Sequence, residues 1–523
     1  MAWYNEAVFY HIYPLGMLNA PKVNDYKTLE HRLNNLIPWI KHLREEGFNA
    51  LYIGPLFESV GHGYETTDYK KLDNRLGTNE DLKNFVKECH NNDIKVIFDG
   101  VFNHTGRDFF AFKDLKKNRE NSRYKDWYCN VNFWSNNSYN DGFSYENWGG
   151  YDLLVKLNQR NSEVVNYITD VIRYWVSEFD VDGIRLDAAD VLDFNFMKEL
   201  RKTAEEVKED FWLMGEVIHG DYARWVNDST LHSVTNYQLH KALFSGMNDH
   251  NFFEIAHTVN RLSQIGNLDL YNFVDNHDVE RIITKLNNKE HFLPVHIMLY
   301  TLPGVPSVYY GSELGIEGHK YRGGTDDDIR PYIEIEKYQN AVNDNYYAQI
   351  IALLGNLRKE NPVLSYGSYK QVELQTAYYS YFRELDNEKI MVCVSNSNDE
   401  HDFYFDTNDT YIGLFSNEEY IPDNNQLRVH LKGNSGEILL KKGTDYKKIE
   451  IKLPEPVKEV IKEELKKDFT VCNKNYEDMS IEELQDAILA KMAKNGPITE
   501  GMLKSVRENV YHNSLINWVK SFR

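Results

Sequence analysis

Eight short apolar runs, separated by longer stretches of helical period, leave this chain few folds to adopt. They are AVFYHIYP (7–14), ALYIGPLF (50–57), KVIFDGVFNH (95–104), GIRLD (183–187), FWLMGEV (211–217), LHSVTNY (231–237), LYNFVDNHD (270–278) and PSVYYGSE (306–313). Runs of this length, rich in β-branched and aromatic residues, read as buried strands. Between them, LNNLIPWIKHLREEG (33–47), EDLKNFVKECHNND (80–93) and EVVNYITDVIRYWVSEF (163–179) place apolar residues at i, i+3 and i+4, as a helix with one buried face does. Gly47 and the Asn91-Asn92-Asp93 cluster stand where such helices end. Strands alternating with helices eight times over roughly 350 residues fit an α/β (β/α)8 TIM barrel better than an open doubly wound sheet.

Ionisable residues gather at the C-terminal ends of four runs. Asp99, Asn103 and His104 end the third, Arg185 and Asp187 the fourth, Glu216 the fifth, and His277 and Asp278 the seventh. One such residue would ordinarily cap a strand; four sets on the face where barrel enzymes keep their sites argue for chemistry. Retaining cleavage of a glycosidic bond needs two carboxyl groups about 5–5.5 Å apart. Neighbouring strands lie about 4.8 Å apart, so Asp187 and Glu216 at the ends of strands four and five can meet that requirement. Asp278 then stands across the mouth. Arg185 is two residues from Asp187 and shares its face of the strand, where a guanidinium keeps the carboxylate ionised and aimed. Alone, that pair is an ordinary ion pair; beside Glu216 and Asp278 it reads as catalytic. Glu216 follows an apolar run, and burial there raises its pKa toward that of a general acid.

The texture changes outside the barrel. Residues 105–150, rich in Asn, Trp and Tyr, form an inserted domain after strand three, lying over the mouth. The barrel is therefore expected over 1–104 and 151–364. From 365 to 446 alternating strands (378–385, 389–397, 401–406 and 436–442) predict an antiparallel β-sandwich. Residues 447–523 are Lys/Glu-rich and helical, with PVKEVIKEELKK (456–467), a capping box at Ser480–Glu483 and a final helix to Arg523. This extension is either a helical cap or a dimerisation or partner surface.

Composition narrows the ligand. A net charge of −21 with no basic stripe excludes a nucleic-acid footprint and suits a neutral substrate. The 14% aromatic content, with 36 Tyr and 9 Trp, accords with a cleft where rings stack on sugars, although core filling accounts for most single rings. Four scattered cysteines, Cys89, Cys129, Cys393 and Cys472, form no metal or disulfide pattern and point to a reducing compartment. The sequence shows neither a signal peptide nor an apolar run of membrane-spanning length, so a cytoplasmic protein without a membrane partner, monomeric or homodimeric, is expected.

Four segments carry a specific resemblance. DGVFNH (99–104), GIRLDAAD (183–190), GEV (215–217) and FVDNHD (273–278) resemble, in order, the four characteristic segments of the α-amylase family of retaining glycoside hydrolases. HGYETTDYKKLDNRLGTNEDLKNFV (62–86), VPSVYYGSELG (305–315) and NPVLSYG (361–367) extend the likeness over about 5–445. LLVKLN (153–158), RLDAADVLDFNFMKELR (185–201) and NYQLHKALF (236–244) are similar to its cyclomaltodextrinase, neopullulanase and maltogenic amylase group, though the barrel begins near residue 7 without that group's N-terminal sandwich domain. The resemblance implies that Asp187 is the nucleophile, Glu216 the general acid/base and Asp278 a carboxylate on the reacting sugar. It implies that His104 and His277 hydrogen-bond that sugar, that Tyr64 stacks on it, and that Arg185 orients Asp187. Asp99 and Asn103 become supports of loop architecture.

Two features depart from the pattern. Asp190-Val191 replaces the group's Asn-Glu on the acceptor side, so Asp190 is a candidate substrate contact of unknown effect. Asn103, with Asp141 and Asp152, matches part of a family calcium site, but LLVKLN lacks its aspartate; no cofactor is required and structural calcium is the weaker expectation. The expected activity is hydrolysis of α-1,4-glucosidic bonds in maltodextrins or cyclodextrins. A 4-α-glucanotransferase or isomerase using the same covalent intermediate is the alternative. A non-catalytic barrel relative is disfavoured because all three carboxylates are present.

Overall fold

The computed structural model describes residues 2–266, 268–321, 323, 325–444, 448, 449, 451, 475–494, 502, 506, 507 and 512–521. The chain forms two compact units, Met1–Ile451 and Lys452–Arg523. In the first, each of the eight apolar runs marks one barrel strand, the last strand starting one residue ahead of its run: β1 (Phe9–Ile12), β2 (Ala50–Ile53), β3 (Lys95–Gly100), β4 (Gly183–Leu186), β5 (Trp212–Gly215), β6 (Ser233–Val234), β7 (Tyr271–Phe273) and β8 (Val305–Tyr309). They form one parallel sheet in which β1 pairs with both β2 and β8. A single bridge between Thr235 and Tyr271 joins β6 to β7 and closes the circle.

Alternation along the strands divides the interior into layers. Phe9, Tyr52, Ile97, Trp212, Met214, Tyr271 and Phe273 form an aromatic and aliphatic plug, with Phe9 and Trp212 stacked 5.1 Å apart. Two residues further along β3 and β4 the same face carries Asp99 and Arg185, paired in register. The ionisable groups therefore rest on an apolar floor, out of reach of water from below. Residues on the opposite face, such as Tyr10, Leu51, Val96, Ile184 and Leu213, belong to the main core between strands and helices.

The helices supply the other side of that core. They are α1 (Trp39–Glu45), α2 (Asn79–Asn91), α3 (Ser162–Phe179), α4 (Phe194–Val207), α5 (Tyr237–Asn248), α6 (Phe252–Gln264), α7 (Phe292–Thr301) and α8 (Tyr346–Glu360). Local chemistry fixes their ends. Thr78 and Asp81 form a capping box on α2, Asn161 caps α3, and α3 ends at Asp180 in the left-handed conformation (φ 56°). At the start of β4, Asp182 is buried and held by His90 (2.7 Å), Lys95 (3.0 Å), Lys208 (2.9 Å) and the Val96 N–H (2.9 Å), so this aspartate anchors the strand away from the mouth.

After β3 the chain leaves the barrel in a three-stranded antiparallel sheet, His104–Thr105, Asn147–Trp148 and Tyr151–Lys156, with a helix at Phe110–Asn118. The boundary expected at 150 falls within this sheet. Beyond α8, six antiparallel strands, ordered Ser368–Leu374, Tyr378–Leu385, Glu388–Ser395, Gly436–Lys441, Tyr411–Gly413 and Glu419–Tyr420, cover the pair His401–Asp406 and Gln426–Leu431. Phe382, Met391, Phe403, Phe405, Leu427 and Leu439 fill the space between them. The second unit contains helices Ile481–Ala493 and His512–Ser521, joined through Leu484, Ile488, Leu515 and Val519. Its first helix opens with the expected Ser480–Glu483 capping box. The stretch 456–467 and Cys472 lie outside the described residues. Among the described residues no helix is long and apolar enough to cross a membrane.

Candidate active site

Arg185 is the hub. It is 2% exposed on the inner face of β4, and Nη1 donates to Asp187 Oδ1 (2.9 Å) and to both oxygens of Asp99 (2.8 and 3.0 Å). Nη2 lies 2.9 Å from Glu216 Oε2, which also accepts the Ala188 N–H at 3.0 Å. Asp187 and Glu216 thus each fix one oxygen on the same guanidinium. Asp187 Oδ2 and Glu216 Oε1 make no hydrogen bond to the described residues, and both side chains line a cavity of about 520 Å³ at the barrel mouth.

Close backbone approach makes this possible. Ala188 takes the left-handed conformation (φ 47°, ψ 43°), which costs a non-glycine residue about 1–2 kcal/mol and bends the chain sharply after Asp187. A Cβ on Gly215 would lie 2.8 Å from the Cβ of Ala189, and one on Gly54 would lie 2.3 Å from that of Asp99. A side chain at Gly54 would push Asp99 away from Arg185, and one at Gly215 would collide with Leu231 and Ala189 beside the bend.

Electrostatics follow from burial. Burial, reinforced by neighbouring carboxylates and opposed by Arg185, raises the pKa of both Asp187 and Glu216, so the pair retains a proton more readily than free carboxylates do. Asp278 goes the other way. Burial would raise its pKa, but His277, Arg330 and Arg185 outweigh it and hold the carboxyl well below the usual range.

Of the expected contacts, Tyr64, His104, Asp187, Asp190, Glu216 and Asp278 line the cavity. Arg185 and His277 sit behind its wall. His277, expected on the sugar, is not among the residues that line the cavity. His277 is 2% exposed, its Nε2 bonds the Tyr64 hydroxyl (2.5 Å) and lies 3.0 Å from Asp278 Oδ2. It braces two cavity residues because the Tyr64 ring lies nearly parallel to it, 12° apart, between it and the open space. His104 is neutral, burial pushing its pKa down to about 4. Its Nε2–H donates to the Tyr64 carbonyl (3.1 Å) and its Nδ1 accepts from Asn103 Nδ2 (3.2 Å), so this ring fixes the Tyr64 loop. Asp190 is exposed at the cavity rim, beyond Glu216, and a second groove of about 590 Å³ begins at Asp190 and Val191.

Several residues of the site were not singled out in the sequence. Arg330, from the loop after β8, donates to Asp278 Oδ1 (2.9 Å) and to the His277 carbonyl (2.9 Å) and pairs with Asp326 (2.9 Å). Only the Asp326–Arg330 i,i+4 spacing hinted at this. Tyr237, opening α5, forms part of the wall beside Glu216. Asp99, expected to brace a loop, instead holds Arg185 together with the Tyr52 and Tyr64 hydroxyls (2.8 and 3.2 Å).

The oxygens proposed for calcium are otherwise engaged. Asp141 is gripped by Arg107 (2.7 Å) and Asn137 (2.8 Å), and Asp152 accepts from Ser138 N–H (2.8 Å) and Asn147 (2.7 Å). Asn103 Oδ1 is buried without a partner, but one amide oxygen falls far short of the six or more that calcium takes. A guanidinium on Asp141 occupies the place of a cation, so these residues do not fit calcium.

The chain resembles known proteins in sequence and fold. The family model for the α-amylase catalytic domain matches residues 31–357. A cyclomaltodextrinase of Thermoanaerobacter pseudethanolicus is 31% identical over 428 residues, 76% of this chain and 71% of that protein. A maltogenic α-amylase of Bacillus acidopullulyticus is 30% identical over 470 residues, 84% of this chain and 78% of that protein. A solved cyclomaltodextrinase superposes with a TM-score of 0.75 at 25% identity, over 84% of this chain and 78% of that one. The parallel barrel, its C-terminal sandwich and these matches together establish that the chain belongs to the α-amylase family of glycosidases.

Proposed function

We propose that this chain hydrolyses α-1,4-glucosidic bonds in maltodextrins and cyclodextrins through a covalent glycosyl-enzyme intermediate. One observation carries the reading: Asp187 and Glu216 share the Arg185 guanidinium and each keeps one oxygen free at the cavity. Asp187 Oδ2 attacks the anomeric carbon while Glu216, protonated on Oε1, gives its proton to the departing glycosidic oxygen. Glu216 then takes a proton from water, whose oxygen bonds the anomeric carbon and displaces the Asp187 carboxylate. Arg185 opposes the burial that raises the pKa of Asp187 and aims its carboxylate, while burial favours the protonated form of Glu216. Asp278 receives sugar hydroxyls, with Arg330 and His277 behind it, and Tyr64 offers its ring face to the same sugar. None of these steps uses a metal.

The groove that begins at Asp190 favours a second reading, transfer to a sugar acceptor, because it offers room for one beyond the bond that breaks. Product profiles on maltotriose, β-cyclodextrin, pullulan and starch decide between them. Hydrolysis predicts glucose and maltose from maltotriose at first turnover; products longer than the substrate, dominating from the start, would replace it by transfer. A fluorinated glycosyl fluoride that stalls the second step is expected to label Asp187, and label on another residue would overturn the assignment. Cys89, Cys129 and Cys393 are free thiols, which accords with a cytoplasmic enzyme acting on imported oligosaccharides.

A further inference from the structure

On the outer side of the barrel wall, apart from the catalytic cavity, three buried side chains of ligand type converge. His42 lies on α1, Glu46 follows one turn later at its end, and Glu313 lies in the loop after β8. His42 is 3% exposed and both glutamates 0%. One ligand atom from each lies within 4.8 Å of the other two. His42 Nε2 is 3.3 Å from Glu46 Oε2 and 3.8 Å from Glu313 Oε1.

These approaches lack hydrogen-bond geometry. Both His42 nitrogens, both Glu46 oxygens and Glu313 Oε2 have no hydrogen-bond partner among the described residues. A separate observation comes from α7. The Tyr300 hydroxyl is also fully buried without a hydrogen-bond partner among the described residues. A buried polar atom without a hydrogen bond costs about 1–3 kcal/mol, and the triad gathers five of them, two in the His42–Glu46 ion pair. The surroundings also orient the ligands. Tyr10 donates to Glu313 Oε1 (2.6 Å), Trp39 Nε1 donates to the Tyr10 hydroxyl (3.2 Å), and the Trp39 indole stacks on His42 at 3.8 Å.

We propose that His42, Glu46 and Glu313 bind a first-row divalent cation of the zinc type, which staples the first helix of the barrel to its last strand. Once the ion displaces the proton that Glu46 and Glu313 hold on His42, the imidazole and two carboxylates carry two negative charges, which such an ion cancels inside an apolar wall. An imidazole nitrogen in the set selects zinc and its neighbours over calcium and magnesium, which take oxygen. The staple has structural sense: β8 pairs directly with β1, Ser307 opposite Phe9, and the ion would fasten the segments flanking that pair. None of the three residues lines the catalytic cavity.

The test uses the full chain without an affinity tag, prepared without chelator. Elemental analysis is expected to find roughly one equivalent of zinc or a neighbouring metal per chain. Stripping with a chelator should lower the melting temperature and added zinc restore it, while calcium should not. Cobalt added to stripped protein should give visible absorption that is absent in Glu46→Gln. Stripped wild-type protein melting unchanged with zinc, after less than about a tenth of an equivalent was found as purified, would overturn the proposal and leave a triad that shares protons instead. Stabilisation by calcium in place of zinc, or a folded Glu46→Gln protein retaining full metal content, would overturn it equally.

Discussion

Arg330 reaches Asp278 from the loop after β8, its Nη2 donating to Asp278 Oδ1 at 2.9 Å while Nε donates to the carbonyl of His277. One planar cation therefore fixes both the side chain of Asp278 and the backbone beside it, a geometry an ammonium cannot reproduce. Arg330→Ala is expected to lower kcat/KM about 30-fold, the cost of one charge-assisted contact of about 2 kcal/mol. Arg330→Lys should recover less than half of that on a logarithmic scale. Steady-state kinetics on maltotriose provide the check, and equal activity of Lys and wild type would mean that only the charge matters.

Asp187→Asn should reduce turnover by roughly 10⁴-fold or more, since no other group can form the covalent bond. The fold should survive, because Asn occupies the same space and removes a buried charge crowded by Glu216 and Asp99. Calorimetry is expected to give a melting temperature equal to or above that of the wild type. A steep fall would show that the carboxylate also holds the barrel mouth together.

The pH dependence has a definite sign. Burial raises the pKa of Glu216, so loss of its proton sets an alkaline limb of kcat/KM that lies above the ordinary glutamate range of about 4.3. Glu216→Gln should remove this limb when the substrate carries an activated aryl leaving group that needs no acid. Stability runs in parallel: a raised carboxyl pKa adds stability below the unfolded value, lost as pH rises through the folded one. Asp278, held low, contributes in the opposite sense, its stabilisation lost as pH falls. His104, neutral with a pKa pushed down to about 4, should add no inflection near 6.5.

Asp190→Asn should change where the glycosyl group goes more than how fast it forms. The Asp190 side chain stands exposed where the cavity meets the second groove and makes no bond to the Asp187 or Glu216 side chains. Removing a strongly hydrated anion there should raise the ratio of transfer to hydrolysis by roughly two- to tenfold, with total turnover within about threefold of wild type. Chromatography of early products from maltotriose measures the ratio, and an unchanged ratio would exclude Asp190 from acceptor selection.

The strands were legible because a barrel strand is buried on both faces and appears as a continuous apolar run. Asp187 and Arg185 were legible for a related reason: a period of two within one strand puts them on one face whatever their neighbours do. Contacts between segments were less so. Asp99 meets Arg185 because β3 and β4 pair in one register, and no residue in either strand announces it. Arg330 and Asp326 lie on a loop without periodicity, where placement depends on what the loop folds against. The partner of His277 was equally illegible, because its bond to the Tyr64 hydroxyl joins segments 213 residues apart.

The circle of strands is laced unevenly. Between β6 and β7 it relies on one bridge, Thr235 to Tyr271, supported by the Asn236 N–H on the Tyr271 carbonyl (2.9 Å) and the Asn236 amide on Asn272 (2.8 Å). A hoop with one short clasp is expected to open there first, and hydrogen exchange of its amide protons ahead of those in β1–β4 is the measurement that checks it. Glu216 and Tyr237 flank that side of the mouth. Any opening of the clasp would therefore be felt first in the wall beside the proton donor.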